Sequence, residues 1–101
     1  MKKQYKEKWL TALRSGEYAQ TTHTLSNAEG FCCLGVLCDI SPKMKLENLA
    51  GKERDYSGDT LQDASLKFFG LSSEEQEKLI EMNDDNGKSF KQIANWIEKN
   101  L

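Results

Sequence analysis

Apolar residues return along this chain at helical intervals, with charged residues between them. Tyr5, Trp9, Leu10 and Leu13 recur with lysines interposed, which predicts an amphipathic helix over 3–14 that stops at Ser15-Gly16. Residues 17–25, Glu-Tyr-Ala-Gln-Thr-Thr-His-Thr-Leu, alternate weakly and are rich in threonine, which suits an extended loop or short edge strand. The longest apolar run follows, Phe31 to Ile40, and it has to be core. Ser26 with Glu29 spells a capping box, so a helix starts at Asn27 or, given Gly30, nearer Phe31. Pro42 excludes Ser41 from the helical region, so Asp39-Ile40 close that helix. Phe31, Leu34, Leu37 and Cys38 share one face while Cys33 and Val36 point elsewhere; a helix apolar nearly all round is buried by the others.

Residues 41–58 hold Pro42, Gly51, Gly58 and scattered charges, and read as a loop with one short helical turn anchored by Met44, Leu46 and Leu49. Asp59 or Thr60 then caps a helix carrying Leu61, Ala64, Leu66, Phe68 and Phe69, ended by Gly70. Ser72 with Glu75 is a second capping box, opening a helix that runs to about Met82. After an Asn83–Gly87 turn, Ser89 with Gln92 is a third, opening a helix with Phe90, Ile93, Ala94, Ile97 and Leu101 on one face. The pattern predicts a mainly α protein: a single small domain over 1–101, a helical bundle around a buried cysteine-rich central helix, with an extended segment at 17–25.

Composition narrows the functional classes. A chain of 101 residues with 38% apolar and 30% charged residues supports one compact core and strongly two-faced helices. The net charge of -2 hides a basic start, Lys2, Lys3, Lys6, Lys8 and Arg14 against Glu7, so the remainder is acidic and a duplex nucleic acid is not a natural partner. The N-terminus lacks the apolar stretch of a signal peptide, and no run approaches the ~18 apolar residues that span a bilayer. Three cysteines in one segment cannot form an even set of bridges and point to a reducing, cytoplasmic setting.

Most candidate chemistry fails on spacing. Cys32, Cys33 and Cys38 with His23 supply zinc-ligand types, but adjacent helical cysteines diverge by about 100° and rarely grip one ion. Cys33, His23 and Asp39 supply nucleophile, base and orienter without a local signature, and burial makes a thiol a poor nucleophile. An EF-hand with Gly87 at its sixth position would need carboxylates at Met82 and Ile93. A phosphate loop ending in Gly87-Lys88-Ser89 would need a glycine at Met82 and a preceding strand. What survives is an anion held by Lys88 and the free amides that open the last helix. Residues 88–100 resemble half of a helix-turn-helix, but the turn before them is too long and the helix is not basic. No metal, cofactor or catalytic residue is predicted.

Three segments together carry a resemblance: Ala12-Leu13-Arg14-Ser15-Gly16-Glu17-Tyr18-Ala19-Gln20, then Gly30-Phe31-Cys32-Cys33-Leu34-Gly35-Val36-Leu37-Cys38-Asp39, then Met82-Asn83-Asp84 with Lys88-Ser89-Phe90 and Ile93 to Glu98. The chain resembles a family of small, mostly uncharacterised bacteriophage and prophage proteins, from which residues 41–70 depart in length. The resemblance implies an accessory protein of the host cytoplasm that is not an enzyme and acts by binding. Its expected role is counter-defence, by stoichiometric capture of a nucleotide-like small molecule or a host protein, and the default assembly for such a binder is a two-fold homodimer. Arg14, Tyr18, Gln20, Asn83, Asp84, Lys88 and Trp96 flank the shared motifs and are the expected ligand contacts; the alternative reading is structural, with Asn83 and Asp84 bonding backbone at a buried turn. A small enzyme using Cys33 or Cys38 with His23, or a DNA-binding regulator, are the alternatives.

Overall fold

A computed structural model of the chain describes residues 1–41 and 60–101. The fold is mainly α. Helices α1 (Lys3–Ser15), α2 (Cys33–Asp39), α3 (Asp63–Phe69), α4 (Ser73–Ile80) and α5 (Phe90–Asn100) are joined by one small hairpin, Ser26–Asn27 with Gly30–Phe31, and by a π-helical turn over Glu81–Asp85. Among the described residues no helix is long and apolar enough to cross a membrane. The loop expected over 41–58, its anchors Met44, Leu46 and Leu49, and the Asp59 cap lie outside the described residues, Ser41 excepted.

The central helix is buried on every side: Cys33, Leu34, Val36, Leu37 and Cys38 are each at most 1% exposed. Trp9 and Leu13 of α1, Phe69 of α3, Leu79 of α4 and Ile93 and Ile97 of α5 close around it in one cluster. Trp9 is fixed further, because its indole N–H donates to the Cys33 carbonyl at 2.9 Å. A fully buried indole without that acceptor would leave a polar group unpaired, at a cost of ~1–3 kcal/mol.

The start of α2 differs from both sequence readings. The Ser26–Glu29 capping box does not form; instead the Asn27 side-chain oxygen accepts from the amides of Glu29 (2.8 Å) and Gly30 (3.2 Å) and turns the chain into the hairpin. An asparagine that satisfies backbone donors locally offers them an alternative to the helix, and here the alternative wins. Gly30 completes the turn at φ 154, with the Ala19 carbonyl where a Cβ would stand. The helix begins only at Cys33, and the Cys32 sulfur caps it by accepting from the Gly35 amide at 3.4 Å. Gly35 itself lies against Leu25, whose carbonyl oxygen would overlap any side chain there. The extended segment expected at 17–25 is a single parallel bridge: the Thr21 amide donates to Phe31 O at 2.8 Å and the Phe31 amide to Ala19 O at 2.9 Å.

Two more boundaries move. Helix α3 starts at Asp63 rather than after Thr60, because the Gln76 side chain takes both backbone groups of Leu61, accepting from its amide at 2.6 Å and donating to its carbonyl at 3.4 Å, and Gln62 in extended backbone is the N-cap. On α3, Ser65 is buried with Leu66 and Phe69 while Ala64 is exposed. Helix α4 does not stop at Met82 but continues through the wider π turn, closed by the Asn86 amide donating to Glu81 O at 2.9 Å. The wider turn lets both Met82 and Asn83 face the core, at 4% and 1% exposure. Both remaining capping boxes, Ser72 with Glu75 and Ser89 with Gln92, form as the sequence predicts.

Candidate functional site

The π turn delivers Asn83 to the junction of three segments. Its Oδ1 accepts from Gln20 Nε2 at 2.9 Å and from the Cys33 amide at 3.3 Å. Its Nδ2 donates to Thr21 O at 2.9 Å and to Asp84 Oδ1 at 2.8 Å. Gln20 Nε2 also donates to Lys88 O at 2.8 Å, binding the loop after α1 to the loop before α5. Asp84 is almost wholly covered, its side chain 5% exposed, and His23, at a positive φ of 63°, sets Nδ1 3.9 Å from Asp84 Oδ2 while its ring stays 68% exposed. Three of the seven expected contact residues, Gln20, Asn83 and Asp84, thus converge, but on each other. All four hydrogen-bonding positions of the Asn83 amide are taken within the protein, which makes it a buried polar cross-link.

Tyr18 stands elsewhere. Its hydroxyl donates to Asp39 Oδ2 at 2.6 Å and its ring meets Phe31 edge-on at 5.2 Å, so the side chain is held at both ends. Burial, then the hydrogen bond and negative charge of Asp39, push the phenol up to about 12. The held ring forms one wall of an open groove of about 460 Å³ along α1. Ala12 and Ile40 add apolar surface; Thr11 and Ser15 extend the groove, and the exposed Glu7, Lys8 and Glu17 bring charge to it. Its volume lies in the range of small-ligand and side-chain pockets. Of the expected contacts only Tyr18 lies here. Glu7, Lys8 and Thr11 belong to no motif in the sequence, Ala12 and Ser15 lie in the first of the three quoted segments, and the one signal that groups all five is spacing of three and four, which places them on one side of α1 away from Trp9.

The other expected contacts are dispersed. Arg14 is engaged by α5, with one guanidinium nitrogen 2.7 Å from Glu98 Oε1 and 2.9 Å from Asn95 Oδ1. Lys88 contributes its carbonyl to the Asn83 cross-link. Trp96 is half-buried on α5 and packs against the edge of the core.

The residues proposed for cysteine chemistry do not assemble. Cys33 Sγ lies 3.8 Å from the Leu79 carbonyl, and burial pushes its thiol well above the usual range. Burial, with Cys32 and Asp39 nearby, pushes Cys38 up to about 12. Asp39 serves Tyr18 and His23 faces Asp84, so nucleophile, base and orienter each have another partner. Among the described residues no three His, Cys, Asp or Glu side chains group to hold a metal.

A family model described as "Domain of unknown function (DUF8296)" matches residues 1–66. The chain belongs to the DUF8296 family. No curated protein and no solved structure matches it. The DUF8296 match contains every residue lining the groove, from Glu7 to Ile40. The Asn83 cross-link straddles its boundary, with Gln20, Thr21 and Cys33 inside and Asn83, Asp84 and Lys88 beyond it.

Proposed function

We propose that this chain is a phage-type accessory binding protein of the host cytoplasm, which counters a host system by capturing a host protein or a nucleotide-like molecule in stoichiometric amount and without turnover. The phage and counter-defence parts of this reading rest on the resemblance of the three quoted segments. The observation that carries the binding part is the groove over Tyr18: an open, partly apolar concavity whose aromatic wall is already locked by Asp39 and Phe31. A wall fixed before binding lowers the ordering cost of a complex. The reactive groups support the same reading, since the Cys33 thiol is buried and protonated and its expected partners are committed elsewhere.

Native mass spectrometry of the protein purified from its host, followed by titration of whatever is retained, tests the proposal. The expected result is a retained component in a fixed ratio to the chain, kept by Cys33→Ser, Cys38→Ser and His23→Ala variants and weakened when the groove is filled by Ala12→Arg. The mass of the intact assembly reads the monomer or dimer state in the same experiment. Full effect at far below one copy per target, lost on Cys33→Ser, would replace this reading with the enzymatic one.

A further inference from the structure

The charges around the groove decide which kind of partner it suits. Glu7 and Glu17 line it against one cation, Lys8, and the Asp39 carboxylate lies behind the wall, bonded to the Tyr18 hydroxyl. Among the described residues the Glu7 carboxylate pairs with Lys3 at 4.0 Å, in a pair 66% and 88% exposed, which is the weak and exchangeable kind. Among the described residues Glu17 makes no ion pair. A phosphate entering here meets two carboxylates and one lysine; Lys88, the expected anion contact, does not line the groove, and Arg14, another expected contact, is held by Glu98 and Asn95.

We infer that the groove is the docking site for a basic segment of a partner protein, with an arginine or lysine laid along the Tyr18 ring and its charge met by Glu17 and Glu7. An arginine suits this geometry best. Its guanidinium stacks on an aromatic face and pairs with carboxylates at the same time, while its methylenes cover Ala12 and Ile40. The inference rests on the proposed capture function and narrows it to a protein target.

Short random peptides displayed on a carrier and selected on the intact chain are the probe. The expected pool is enriched in arginine and lysine, and its members weaken as salt is raised. By fluorescence anisotropy they should lose about tenfold or more in affinity on a Glu7→Lys, Glu17→Lys double variant. Ala12→Arg should abolish binding, with the fluorescence of buried Trp9 reporting that the fold persists. The double variant changes only exposed side chains, so it remains informative if Ala12→Arg fails to fold. A pool without basic bias, affinities equal on the double variant, or displacement of the peptides by a nucleoside triphosphate overturns the inference. If the chain retains a cellular component whose binding ignores the charge reversal, this inference fails and capture stands. If it retains nothing and selects nothing, both fail.

Discussion

Asn83 and Arg14 were expected to act alike, yet the structure separates them by burial. The Asn83 amide is 1% exposed and saturated by four protein partners, so Asn83→Ala leaves the Cys33 amide and the Thr21 carbonyl in a dry interior. We expect a loss of about 3 kcal/mol, read by urea denaturation. Arg14 sits on the surface, its side chain 38% exposed against 59% for Glu98, and Arg14→Ala should cost under ~1 kcal/mol and less still in high salt. Tyr18 gives a pH signature. Its phenol rises from 10.0 to about 12 in the folded chain, so the stability it contributes is complete below pH ~10 and lost as pH climbs through ~12. Stabilities of the wild type and Tyr18→Phe, measured across that range, should therefore move relative to each other only at its alkaline end, and ultraviolet titration should lose one late-titrating tyrosine in the variant. The residue types at Gln20, Asn83 and Asp84 were legible as polar groups beside motifs. That they would satisfy one another was not, because the Gln20–Asn83 bond spans 63 residues and only the folded core brings its ends together.

Among the elements, the helix starts written by two of the three capping boxes appear where the sequence puts them, and the Ser26–Glu29 box does not form. Ser72 and Ser89 each meet a partner three residues on, and replacing either by alanine should lower thermal stability by about 1 kcal/mol. Helix α2 was legible as core for a different reason, since an apolar run of that length cannot be left in water. Its start was not, because the competing turn needs Ala19 beside Gly30 and Leu25 beside Gly35, and neither approach is encoded nearby. Gly35→Ala should destabilise by about 3 kcal/mol or more, since the added methyl meets a backbone carbonyl and not a side chain that can swing away. The same burial predicts that a thiol reagent at mildly alkaline pH labels Cys32, Cys33 and Cys38 only after the chain is unfolded by denaturant, as mass spectrometry would count.

At the scale of the molecule, the sequence made the order of the described helices and the central position of residues 33–38 readable, because apolar patterning and helix caps are local signals. The groove was half readable. Tyr18 is an aromatic beside a motif, but Ile40 and Glu7 belong to the groove only through the packing of α1 against α2. That packing has a temporal side. Helix α1 rests against α5 more than against any other described element, and Asn83 reaches back to Thr21 and Cys33. During synthesis the first helix and the cysteine helix therefore leave the ribosome long before the residues that cover them. Trp9, Leu34 and Leu37 gain their last cover only when Ile93 and Ile97 have emerged, so this core closes after residue 97 has been made and not progressively along the helices.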